Sequence, residues 1–136
     1  MVLLYQIFEL MMQDRIKPKL CVIHKIEGLL KGHHDGAANF IEALFRVARK
    51  YNGWFITTAN FIDAYGINKA TARMYEWAMT KILFRHPSRS LNKLDEIVNL
   101  YLPSHAKSLL KGLKHDTECL IHSKGDFYKH QFTEQA

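Results

Sequence analysis

The chain has 136 residues, 48% hydrophobic and 24% charged, the balance of one ordinary globular domain, which excludes disorder over most of its length. Nineteen lysines and arginines against thirteen acids give a formal charge of +6, which favours anionic partners such as phosphates, nucleic acid or an acidic protein surface. The two cysteines, Cys21 and Cys119, are too few and too far apart for a disulfide framework or a zinc site, and read as reduced thiols partly filling the core.

The opening MVLLYQIFELMM predicts a helix over residues 2–13, with Leu3, Leu4, Ile7, Phe8 and Met11 at helical spacing. Gln6 and Glu9 interrupt it, and it has neither a basic start nor a small-residue cleavage site, so it does not read as a secretory signal. No apolar run reaches the ~18 residues that span a bilayer, and a cytoplasmic location is the expectation. Pro18 closes the helix. Leu20-Cys21-Val22-Ile23 is a short continuous apolar run, the pattern of a strand buried on both faces. The turn formers Lys31-Gly32-His33-His34-Asp35-Gly36 follow.

Residues 37–51 give the clearest helix, with Phe40, Ile41, Leu44, Val47, Ala48 and Tyr51 along one side. Asn52-Gly53 is its C-cap signal. Trp54 to Thr58 predicts a second buried strand. Residues 60–68 read as irregular or a short helix, 69–79 as a helix, and 81–85 as a third strand. Two short helices are expected near 90–100 and 104–113, the latter capped by Ser104. Two β-patterned runs, 118–122 and 127–130, flank a turn containing Gly125 and predict a hairpin. Strands separated by helices favour parallel pairing, so the expected fold is α/β with a short, mostly parallel sheet, flanking helices and a C-terminal hairpin. One domain over residues 1–132 and a tail over 133–136 are expected.

The phrase Phe40 to Gly53, followed by Trp54-Phe55-Ile56-Thr57, carries a resemblance. With the preceding Pro18-Lys19-Leu20-Cys21-Val22-Ile23 and the later Ile82-Leu83-Phe84-Arg85, residues 2–132 resemble the C-terminal part of the TraC-like ATPases of conjugative transfer (type IV secretion). The resemblance implies a partial RecA-like P-loop ATPase domain, usually part of a hexamer.

Several departures from that family pattern bear on activity. The sequence contains no G-x-x-x-x-G-K-[ST] loop, the element that cradles β and γ phosphates; the chain begins too late in the family pattern to include it. Where the family carries an Asp-Glu pair, for Mg²⁺ and for the attacking water, this chain has His24-Lys25. Neither is a carboxylate, and Lys25 would repel a metal. At the end of the sensor strand, Asn60 stands in place of a glutamine, one methylene shorter. Arg85 matches a family arginine and could touch a phosphate in a neighbouring subunit, and His86 follows where glutamine is common. Arg85 and Lys25 are therefore the candidate phosphate contacts. The expectation is a chain without catalytic activity, cofactor or metal, acting by protein–protein contact if it acts.

Other constellations are weaker. His33-His34-Asp35 are adjacent on a loop and would not converge on one metal ion. Ser104-His105, and Ser88 near His86, lack the orienting acid a hydrolase needs. Arg46, Arg49, Lys50, Arg73, Arg85 and Arg89, with Tyr51, Trp54 and Tyr75, would suffice for phosphate-led nucleic-acid binding. Two further alternatives stay open. The chain would borrow a P-loop from a partner chain, or, with strands 20–23 and 54–58 missing a family neighbour, would self-associate or dock onto a full-length type IV secretion ATPase.

Overall fold

The computed structural model describes residues 2–30, 35–93 and 102–132. Helix α1 (Val2–Met12) ends before Pro18, because the Asp14 carboxylate accepts the N–H groups of Ile16 (2.8 Å) and Lys17 (3.3 Å) and turns the chain. Strand β1 (Lys19–Ile23) follows, then α2 (Glu27–Leu30) and α3 (Asp35–Ala48), which tightens into a 3₁₀ turn at Arg49–Tyr51. Asn52 takes the left-handed conformation (φ 51°) that the C-cap signal anticipates, and its side-chain amide donates to the Ile16 carbonyl at 2.9 Å. Gly53 opens β2 (Gly53–Thr57) because α1 and α3 come so close there: a Cβ would collide with the Met11 side chain and crowd the Ala48 carbonyl.

Strands β1 and β2 pair in parallel, with Leu20 opposite Trp54 and Val22 opposite Ile56. Their covered face lies on Ile26, Ala38, Ile41, Ala70 and Met74, with Phe45 and Phe55 in ring contact at 5.1 Å. The expectation of strands buried on both faces is not met. Leu20 is 63% exposed and Trp54 69%, with Val22 and Ile56 also exposed. The run of apolar residues is continuous, yet among the described residues nothing covers this second face.

A 3₁₀ helix (Ile62–Gly66) leads to α4 (Lys69–Trp77). Its first turn is held by reciprocal bonds between Asn68 and Thr71: the Thr71 N–H donates to the Asn68 side chain at 3.0 Å. The described chain forms two compact units, Met1–Met74 and Tyr75–Ala136, dividing within α4.

The second unit holds β3 (Thr80–Leu83), α5 (Ser88–Lys93), α6 (Ser104–Gly112), β4 (Glu118–Ser123) and β5 (Asp126–Gln131). The hairpin forms as expected, turning at Lys124-Gly125 with both residues at positive φ. The third strand does not join the parallel pair. It lies antiparallel on β4, with Ile82 opposite Ile121 and Leu83 opposite Leu120, giving a three-stranded antiparallel sheet. A hairpin offers an antiparallel edge beside the apolar residues of β3, and periodicity cannot distinguish that edge from a parallel one. Helix α6 begins after Pro103, whose extended backbone fills the N-cap position; Ser104 is the first helical residue and makes no cap bond. Of the expected 90–100 helix, Ser88–Lys93 is seen, and the remainder lies outside the described residues. The architecture is mixed α/β, with two separate sheets.

Candidate functional site

The two parallel strands end together, at Ile23 and Thr57, where open α/β sheets bind ligands. Thr58 ties the ends. Its N–H donates to the Ile23 carbonyl (3.0 Å), and its own carbonyl accepts the Ile26 N–H (2.8 Å). Its hydroxyl accepts the Lys25 N–H at 3.0 Å and lies 2.9 Å from His24 Nδ1. Either partner of the contact with Nδ1 can donate, according to the His24 tautomer. Lys25 has φ 53°, a left-handed conformation uncommon for a residue with a Cβ, and the Thr58 bond holds it there. Both side chains are exposed.

Glu27, not foreseen from the sequence, completes this end of the sheet. It opens α2, and its Oε1 accepts the Asn60 N–H at 3.1 Å. Its Oε2 is buried without a hydrogen-bond partner among the described residues. Tyr65 shares a 2.8 Å hydrogen bond with the Thr57 hydroxyl. Burial pushes the Tyr65 phenol above its ordinary range and the nearby Glu27 charge adds to that, against the Thr57 bond. An acid in a helix's first turn reads in sequence as a partner of the helix dipole, which hid its second position beside Asn60.

The structure thus brings His24, Lys25 and Asn60 together with Glu27, Thr58 and Tyr65. Arg85 belongs to the second unit, exposed on the extended segment after β3. The following His86 donates from Nδ1 to the Phe84 carbonyl at 2.7 Å. What the strand ends can do chemically is limited by these bonds. The histidine and lysine side chains offer donors suited to an anion. The one carboxylate nearby is half committed to a backbone amide.

Other candidates are dispersed. His33 and His34 lie outside the described residues, and among the described residues no group of three or more His, Cys, Asp or Glu is placed to hold a metal ion. His105 packs its ring edge-on against Phe127 at 5.5 Å. Of the basic group, Arg73 pairs with Glu42 at 3.4 Å, and Tyr75 is buried beneath the Lys81 ammonium, 5.0 Å from its ring. Arg46, Arg49 and Lys50 are exposed. Both cysteines are free thiols, pushed up by burial and so away from the thiolate form. No described helix is long and apolar enough to cross a membrane.

One further surface belongs to the first unit. A cleft of about 800 Å³ lies between α1 and β1, lined by Ile7, Leu10 and Met11 on one side and Leu20, Cys21 and Val22 on the other. Consecutive strand residues point to alternate faces, so a cleft that takes in 20, 21 and 22 follows the strand's edge.

No family model and no curated protein matches this sequence. Among solved structures, the chain is similar to VirB4 of Thermoanaerobacter pseudethanolicus, with a TM-score of 0.80 and 17% identity. The match covers 96% of this chain and 35% of VirB4, so the chain spans about a third of that protein's length, and at this identity the likeness is one of fold.

Proposed function

We propose that this chain is a non-catalytic module related to the type IV secretion ATPases, acting by contact with another protein. The fold likeness to VirB4 supports the relation, and the phrase from Phe40 to Thr57 supports the finer identification with TraC-like, RecA-like motor domains. The observation that carries the non-catalytic reading is the turn at the end of β1. Metal-assisted phosphoryl transfer needs carboxylates aimed at Mg²⁺ and at a water. At that turn stand His24, bound to Thr58, and Lys25, a cation. The sequence contains no lysine-bearing glycine loop to hold the phosphates. A cytoplasmic place, beside such a motor, fits this role.

One observation favours a second reading, an ATPase half completed by a partner's P-loop. Glu27 returns a carboxylate to the strand ends, with Oε2 unengaged among the described residues. Phosphate release from Mg·ATP separates the two readings. The purified chain is expected to release none above buffer alone, and to add nothing to the rate of a full-length VirB4-type ATPase with which it co-elutes. Turnover in the mixture above the ATPase's own rate, lost in Glu27→Gln, would establish the second reading.

A further inference from the structure

Strand β1 is an edge. Among the described residues it pairs only with β2. The Lys19 N–H and the Ile23 carbonyl bond toward β2, to Asn52 and Thr58. By the alternation of a parallel ladder, Leu20 and Val22 turn their N–H and C=O groups the other way, into the cleft along α1. The same two residues present exposed apolar side chains, continuous with Trp54 and Ile56. Parallel strands are almost always covered on both faces, so a bare apolar face beside an unpaired edge is an unfinished sheet.

Resting on the relation to VirB4-type proteins, we propose that the free edge of β1 takes an added strand from a VirB4-type polypeptide. That strand is an extended segment of alternating apolar residues bracketed by carboxylates. Three observations choose this occupant. The fold is shared with VirB4 over only 35% of that chain, so the protein it resembles carries much more polypeptide than is present here. The cleft follows the strand edge and is lined by apolar groups of α1, which suits a strand whose alternate side chains turn inward. Lys25 is exposed at one end of β1, and Lys17 at the other, its ammonium 4.0 Å from the Asp14 carboxylate at the surface, which favours acids flanking the guest. A second copy of this chain would bring lysines against lysines when its β1 pairs antiparallel.

The test is residue-resolved amide exchange on the whole chain with a synthetic probe, acetyl-Glu-Val-Thr-Val-Thr-Val-Glu-amide. The peptide is expected to slow exchange at Leu20 and Val22 by about tenfold or more while leaving Cys21, already bonded to β2, unchanged. The same peptide with lysines at its ends is expected to protect less. Val22→Pro removes an N–H that points into the cleft and none that bonds β2, so it should abolish the protection with the fold retained by circular dichroism. Leu20→Lys, on the exposed face, serves the same purpose if the proline variant does not fold. Unchanged exchange overturns the site, as does protection that survives both variants. Protection that rises with the chain's own concentration, without peptide, assigns the edge to a second copy and also overturns it. Peptide protection without co-elution of a VirB4-type ATPase would sink the functional reading and leave the edge site standing. Co-elution that persists in Val22→Pro would sink the edge site alone.

Discussion

Glu118 shows how one buried charge is tolerated in the second unit. Its carboxylate sits 2.9 Å from the Lys129 ammonium and accepts the Lys114 N–H at 2.8 Å. The Lys129 bond, then the Lys114 amide, hold its carboxyl below the ordinary range, against its own burial. A carboxyl depressed in the folded state contributes stability above its unfolded pKa of about 4.3, which is lost as pH falls through the lower folded value. Acid unfolding followed by circular dichroism should therefore steepen below about pH 4.3 in the parent chain, and less so in Glu118→Gln. His122 acts in the same direction at a higher pH. Its ring stacks on Phe127 at 4.3 Å, and burial, then the Lys81 charge, lower its pKa. Protonation favours the unfolded chain, so stability should decline as pH falls below about 6.5, and His122→Phe should remove that part of the slope.

At the scale of elements, the connection from α3 into β2 is the most specified part of the fold. Asn52 is left-handed and bonds the Ile16 carbonyl, and Gly53 lies against Met11 and Ala48. Gly53→Ala should destabilise by roughly 1–3 kcal/mol through overpacking, read as a lower urea midpoint. Asn52→Val should cost about 1–2 kcal/mol from its left-handed backbone, and Asn52→Gly less. Ile41, fully buried beneath the β1–β2 pair, should cost about 2–5 kcal/mol as Ile41→Ala. This connection was legible because its signals are local: a helical stripe, then Asn-Gly, then a β-branched and aromatic run. The hairpin was legible for the same reason. The placement of β3 was not, because Leu83 finds Leu120 from far along the chain, and either sheet would have accepted its apolar side chains. Nor was the exposure of Leu20, Val22, Trp54 and Ile56 legible, since a continuous apolar run records what a strand can bury and not whether anything arrives to cover it. Glu27 was hidden because a helix's first turn already accounts for an acid there.

In the molecule as a whole, a fold similar to part of VirB4 carries His24 and Lys25 at the ends of its parallel strands. The parallel strands end together, and Thr58 ties the turn between them. What stands in that turn is an imidazole and an ammonium, with one carboxylate partly engaged by Asn60. On the proposed reading, such a site attracts an anion without seating a magnesium ion or polarising a water. Binding and turnover should therefore separate. The decisive measurement is inorganic phosphate release by the purified chain in Mg·ATP. The account predicts none above the buffer rate. Release that grows in proportion to protein, and falls away in Glu27→Gln, would contradict it.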